Sequence, residues 1–260
     1  AWMHRLLDAA LVLPFVPRVI RTSDGASVVE HGGRCWELLS WMPGRADFAV
    51  DPRRERLMAA CTALAELHLA WIPRVQETGV CPAVLRRLDA WHDWRHHPRP
   101  RVEGPYAEPC ATLLRLIESR VDWLCASLTP WRTRPVALQP CVCDLWHDHV
   151  LFVGNTVGGF IDFGSAEIDH VAVDLARLLG SLVGDDVALW DLGLDAYAQH
   201  RPLTLEERTL ARDLDSTGTL VAAMNWLRWL LREKRQYERP QDVAARLKEL
   251  AQRLRQQAQG

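Results

Sequence analysis

Cys141-Val-Cys-Asp-Leu-Trp-His-Asp-His149-Val-Leu-Phe-Val-Gly-Asn-Thr-Val-Gly-Gly-Phe-Ile-Asp-Phe-Gly164 decides the fold of this chain. Val150-Leu151-Phe152-Val153 and Phe160-Ile161 have the β-branched and aromatic character of buried strands, and Gly154-Asn155 and Gly158-Gly159 are turn chemistry. The pattern predicts a β-hairpin. A hairpin returns the chain on itself, so Asp144, just before the first strand, comes near Asp162, just after the second. Carboxylates and imidazoles from Asp144, His147, Asp148, His149 and Asp162 gathered at one hairpin end suit a metal and acid/base site. Buried without a cation they would be costly.

Outward from that stretch, 260 residues that are 48% hydrophobic can bury a substantial core, as one large domain or two unequal lobes. A net charge of -2 carries no basic nucleic-acid footprint. Lys234 and Lys248, both near the C-terminus, are the only lysines among 31 basic residues. The seven cysteines are scattered without a C-x-x-C pair, which points to reduced thiols and a cytoplasmic protein. No apolar run reaches the length of a membrane span and no signal peptide is recognisable, so no membrane association is expected. A chain beginning with Ala1 is expected to be processed or cut from something longer.

Along the chain, Trp2 to Leu13 has helical spacing and stops before Pro14. Arg18–Arg21, Ser27–Glu30 and Cys35–Trp41 read as short strands, turned by Asp24-Gly25 and Gly32-Gly33. Met42-Pro43-Gly44 breaks the pattern and sets a boundary between a front piece, 1–44, and a helical piece, 45–260. Asp51-Pro52 reads as an N-cap followed by a first-turn proline, with Leu57, Ala60, Cys61, Leu64 and Leu67 inward up to a packed His68. Further helices are expected over Ala83–Arg95, which runs into a His-Pro-Arg-Pro linker, and along Leu113, Ile117, Val121, Leu124 and Leu128. Others begin at Asp174, run from the Thr204-Leu-Glu-Glu207 capping box toward Glu233 with Gly218 as a kink point, and span Pro240–Gln256. Trp226 and Trp229 are expected in the core, and Trp91, Trp94 and His96-His97 on a solvated helix face. The fold class is α+β.

The spacing around Asp144 resembles the aminoglycoside phosphotransferase and choline kinase-like family, which shares the protein-kinase-like fold. There a loop reading His-Gly-Asp-Leu-His-Pro-Gly-Asn-Val-Leu-Phe precedes Ile-Asp-Phe-Gly and a later Asp-Leu-Ala. Here the corresponding stretches are Val142-Cys143-Asp144 through His149-Val-Leu-Phe152, then Ile161-Asp162-Phe163-Gly164, then Asp174-Leu175-Ala176-Arg177. Ala63-Leu-Ala-Glu-Leu-His68 is similar to a family helix. The resemblance implies transfer of the ATP γ-phosphoryl group to a small-molecule hydroxyl. Asp144 would be the catalytic base, Asp162 and His149 would hold Mg2+, and Asp174 would support the catalytic loop. Leu39, Ser40 and Met42 would form the hinge that receives adenine.

The chain departs from the family pattern in three places. His149 replaces the second metal ligand, Asn. Val142-Cys143 replaces His-Gly. The front piece has neither a Gly-rich hairpin before the first helix nor a lysine before Lys234, and arginine is no simple substitute for that lysine. The main expectation is a phosphotransferase. The alternatives are a truncated or degenerate kinase (pseudokinase) acting as a binding module, and a metal hydrolase using Asp144, His147, His149 and Asp162.

Overall fold

The computed structural model describes residues 2–72, 77–98 and 101–257. The sequence assigns Arg99 and Pro100 to a linker, and both lie outside the described residues. The elements run α1 (Trp2–Ala9), β1 (Val29–His31), β2 (Arg34–Trp36), α2 (Arg54–Trp71), β3 (Glu77–Val80), α3 (Pro82–His96), α4 (Ala107–Leu128) and β4 (Pro135–Cys141). They continue with β5 (Val150–Val153), β6 (Thr156–Phe160), β7 (Glu167–Asp169), α5 (Ala172–Leu182), α6 (Val187–Ala198), α7 (Leu205–Leu227) and α8 (Pro240–Gln256). Two compact units result: residues 1–79 with 136–211, and residues 80–135 with 212–260.

In the first unit, α2 packs its predicted face, Leu57, Ala60, Cys61, Leu64 and Leu67, into the core. The helix starts later than its sequence suggests. Asp51 and Pro52 stand outside it, Arg53 is the N-cap position, and no side chain caps it. The Asp51 carboxylate is drawn instead to guanidinium groups, 2.8 Å from Arg53 Nε and 3.6 Å from Arg56 Nη1. The Thr204 capping box does form: the Glu207 amide donates to Thr204 Oγ1 (3.1 Å) and the Thr204 amide to Glu207 Oε2 (2.9 Å).

The front strands are shorter than expected. β1 and β2 pair antiparallel, with Val29 opposite Trp36 and His31 opposite Arg34. The stretches around Arg18–Arg21 and Leu38–Ser40 meet only at a bridge between Val19 and Leu39. The hairpin β5–β6 pairs Val150 with Phe160 and Val153 with Thr156, and turns at Gly154-Asn155 as its sequence requires.

Gly158-Gly159, by contrast, is not a turn but lies inside β6. The reason is steric. A Cβ on Gly158 would stand 2.4 Å from the Pro43 carbonyl oxygen, and one on Gly159 would stand 2.5 Å from Met42 Cβ. The Met42-Pro43-Gly44 segment lies directly on the strand, and only bare backbone leaves room for it. The seam is closed by backbone bonds between Arg45 and Phe152, N to O at 3.0 Å and 2.9 Å. Arg56 pins the turn from the α2 side. It is buried, donates from Nε to the Gly154 carbonyl (2.8 Å), and stacks over Phe152 at 4.9 Å.

In the second unit, α4 buries Leu113, Ile117, Val121, Leu124 and Leu128, and α8 buries Val243, Leu247, Leu250 and Leu254, as their periodicity predicts. α7 continues through Gly218; its regular winding is lost further on, in a π-helical turn at Arg228–Arg232. Trp226 and Trp229 are half-buried rather than core, packed edge to face at 5.4 Å. Trp94 is buried, so its helix face is not wholly solvated.

Replacing Gly159 with Ala tests the seam. The added methyl must displace Met42, whose Cβ cannot swing away as a flexible tip could, so a loss of about 1–3 kcal/mol is expected. The thermal midpoint should fall by several degrees. An unchanged midpoint would show that the Met42-Pro43 segment does not sit on β6.

Candidate functional site

The loop between β4 and β5 is held by one buried carboxylate. Asp174, in the first turn of α5, is fully buried. It accepts the Val142 amide on Oδ2 and the Cys143 amide on Oδ1, each at 2.7 Å. His68 Nε2 lies 3.0 Å from Oδ2, and His68 Nδ1 lies 2.7 Å from the Tyr197 hydroxyl. A carboxylate only accepts, so Nε2 carries the proton and Nδ1 receives the Tyr197 O–H. Burial pushes the His68 pKa below 6.5, against the opposing pull of Asp174, and raises that of Tyr197 well above 10. The imidazole is therefore neutral and the phenol protonated. His68, Cys141 and Asp174 place their ligand atoms within 4.8 Å of one another. Each is already engaged, however, with Cys141 Sγ donating to the Asp169 carbonyl at 3.5 Å, so this group works as an anchor and not as a metal centre. Sequence reasoning assigned His68 to packing and missed Tyr197. Nothing in the local pattern links His68 to its partners, because its contacts with Tyr197 and Asp174 span 129 and 106 positions.

The anchor bends the loop sharply. Cys143 has φ 64°, a left-handed conformation that favours glycine, at the position where the family motif has Gly. Asp144 follows, with its carboxylate half-exposed. Oδ1 accepts both Nε (3.0 Å) and Nη2 (2.5 Å) of Arg177, one turn beyond Asp174 on α5. Arg177 is a contact that the sequence motif contained but that reasoning from it did not assign.

His149 closes the loop. Its Nδ1 lies 2.7 Å from the Asp144 carbonyl, and its own carbonyl accepts the Ile161 amide at 3.0 Å, tying the loop to the end of β6. On the far side, His149 Nε2 stands 3.6 Å from Asp162 Oδ2. Asp162 has φ 60° and ψ 64°, which turns the chain out of the strand direction and leaves its carboxylate 62% exposed. The Asp144 carbonyl, His149 and Asp162 are thus linked in sequence, while the Asp144 carboxylate faces Arg177 and Asp174 holds the backbone just before Asp144. His147 turns elsewhere, with Nδ1 2.9 Å from Asp148 Oδ1 and its amide on Ser181 Oγ. A carboxylate oxygen and an imidazole nitrogen facing each other at 3.6 Å fit a divalent cation, since both carry lone pairs.

Leu39 and Ser40, expected from the sequence as a hinge, pair with the Arg18–Ile20 stretch. The Ser40 amide donates to the Arg18 carbonyl and the Ile20 amide to the Leu38 carbonyl, both at 2.8 Å. The backbone groups of Leu39 therefore point to the opposite edge. Ser40 Oγ accepts the Arg18 amide at 2.8 Å, and Met42 is buried against Gly159. Among the described residues no disulfide forms between the seven cysteines. None of the described helices is long and apolar enough to cross a membrane.

Removing the anchor has a signature in stability and in pH. Asp174→Ala leaves two amides and the His68 N–H buried without their acceptor, a loss of about 3–5 kcal/mol. In the wild type, the unfolded chain takes up a proton on His68 near pH 6.5 while the folded chain resists it. The contribution of neutral His68 is therefore intact above 6.5 and is lost as pH falls below it. The thermal midpoint should drop between pH 7 and 5, and the drop should be smaller in His68→Gln, measured relative to that variant's own midpoint at pH 7. Equal slopes in the two proteins would contradict the assignment.

Homoserine kinases of Burkholderia cenocepacia and Burkholderia mallei are 30% and 29% identical over 221 and 219 residues. Each alignment covers 78% of this chain, and 61% and 62% of those proteins respectively. The chain thus spans about three fifths of the length of the curated relatives it matches. Among solved structures, the aminoglycoside phosphotransferase of Alicyclobacillus acidocaldarius superposes with a TM-score of 0.64 at 18% identity, over 99% of this chain and 82% of that one. Spectinomycin phosphotransferase, solved with ADP and spectinomycin, gives 0.68 at 11% identity, over 97% and 80% of the two chains. A choline/ethanolamine kinase family protein of Mesorhizobium loti gives 0.58 at 14%, over 97% and 82%. These likenesses show the α+β kinase-like fold, and none of them supports reading the chain as a degenerate binding module. Residues 1–212 match the Phosphotransferase enzyme family, APH, and the chain belongs to that family.

Proposed function

We propose that this chain is the catalytic body of an ATP-dependent phosphotransferase acting on a hydroxyl of a small molecule. The observation that carries the reading is the convergence of Asp144, His149 and Asp162 at one end of the β5–β6 hairpin, with Asp144 oriented through a single oxygen. Arg177 takes Oδ1 and leaves Oδ2 to accept a hydrogen bond from the acceptor hydroxyl and then its proton. Arg177 thereby fixes the orientation of the carboxylate.

Phosphoryl transfer needs positioning and charge neutralisation more than covalent chemistry. Asp162 and His149 would hold the divalent cation, Mg2+ in the ordinary form of this chemistry, which neutralises phosphate charge when bound. The exposed edge of Leu39, with Ser40 and Met42 behind it, would receive the adenine of ATP. Asp174 has a supporting role, keeping Val142 and Cys143 turned so that Asp144 faces the acceptor. In this reading residues 1–44 serve as part of the nucleotide-binding lobe and 45–260 as the catalytic and acceptor lobe. The setting is cytoplasmic, where ATP is abundant and thiols stay reduced. The named activities of the relatives, on homoserine and on aminoglycosides, support a small-molecule acceptor, which in this reading is polar and bears a hydroxyl.

Two variants separate binding from chemistry. At a hundred times its dissociation constant, ATP with its cation should stabilise the wild type by about 2.7 kcal/mol, seen as a rise in thermal midpoint. Asp162→Ala should abolish that rise. Asp144→Asn should keep it while transfer to the acceptor, followed by phosphorus NMR, falls by about 10²–10⁴-fold. A chain that melts cooperatively with no nucleotide response would overturn the proposal.

A further inference from the structure

The cation position itself departs from an all-oxygen site in a way that sets which metal it prefers. The Asp144 carbonyl oxygen, 2.7 Å from His149 Nδ1, can only accept a hydrogen bond, so Nδ1 carries the ring proton. Nε2 is then a bare lone pair, aimed at Asp162 Oδ2 from 3.6 Å. That separation is too long for a hydrogen bond between the two. Two metal–ligand bonds of about 2.1 Å can bridge it. The ring is held in this pose. Its side chain is 15% exposed and it lies edge-on to Trp146 at 6.3 Å, with its backbone tied to Ile161. A carbonyl or carboxylate behind a metal-binding imidazole is the usual means of fixing its tautomer and orientation.

We infer that His149 Nε2 and Asp162 form a mixed nitrogen–oxygen site that selects a divalent transition cation, Mn2+ or Co2+, over Mg2+. The inference rests on the phosphotransferase reading of the site and adds the identity of the metal class. Mg2+ is a hard cation that takes oxygen ligands in near-ideal octahedra, whereas the affinity of a nitrogen-containing site rises along the first transition row from Mn2+ through Co2+.

The test is pulsed electron paramagnetic resonance of the 260-residue chain loaded with Mn2+ alone, and then with Mn2+ and ADP. The inference expects modulation from a directly bound nitrogen-14 in the wild type and its disappearance in His149→Asn, whose side chain offers an amide oxygen. Titration calorimetry should show the preference for Mn2+ over Mg2+ shrinking at least tenfold in the same variant. The wild-type spectrum decides the matter even if His149→Asn fails to fold. Mn2+ binding without nitrogen modulation, equal preference in the two proteins, or no Mn2+ binding would each overturn the inference. In the first two cases a retained ADP response leaves the phosphotransferase reading standing; no ADP response with any cation removes both.

Discussion

The two bonds from the Asp174 carboxylate to the amides of Val142 and Cys143 are the constraint on which the site depends. A buried carboxylate with no partner would be severely destabilising, and the buried Val142 amide and part-buried Cys143 amide would add a smaller cost if left without acceptors. Satisfying all three at once fixes the loop against α5 and forces Cys143 into a left-handed turn. That turn aims the Asp144 side chain at Arg177 and its carbonyl at His149. His68 and Tyr197 complete the arrangement from α2 and α6, so three helices and one loop share a single polar knot inside an apolar core.

A second constraint joins the front piece to the hairpin. Met42 and Pro43 lie on Gly159 and Gly158, with the Arg45–Phe152 bridge beside them. The same strand that carries this seam ends at Phe160 and delivers Asp162 two residues later. The positions of the Met42-Pro43 segment and of Asp162 are therefore set by one β-strand.

Much of this was legible in the sequence, for a physical reason. Strand character, the Gly154-Asn155 turn and the spacing of Asp144, His149 and Asp162 are local features, and local chemistry determines them. Helical periodicity placed the cores of α2, α4 and α8 correctly because burial of a stripe is a property of one helix alone. The misses share the opposite cause. Gly158-Gly159 has the composition of a turn, yet it lies within β6, at a shift of register opposite Leu151 and Phe152, with a segment more than a hundred positions earlier against it. Asp51 had the chemistry of an N-cap, but two arginines took its carboxylate. Tyr197 and Arg177 entered the site through contacts that no spacing rule encodes.

The central claim is that the loop carrying Asp144 is locked by Asp174 and opens only with the molecule. Native-state hydrogen exchange of the Val142 and Cys143 amides, resolved residue by residue, tests it most directly. If the claim holds, both amides exchange only through global unfolding, with an opening free energy equal to that measured by denaturant. Exchange through a local opening of markedly lower free energy would contradict it, and would show that the loop is not held by the anchor.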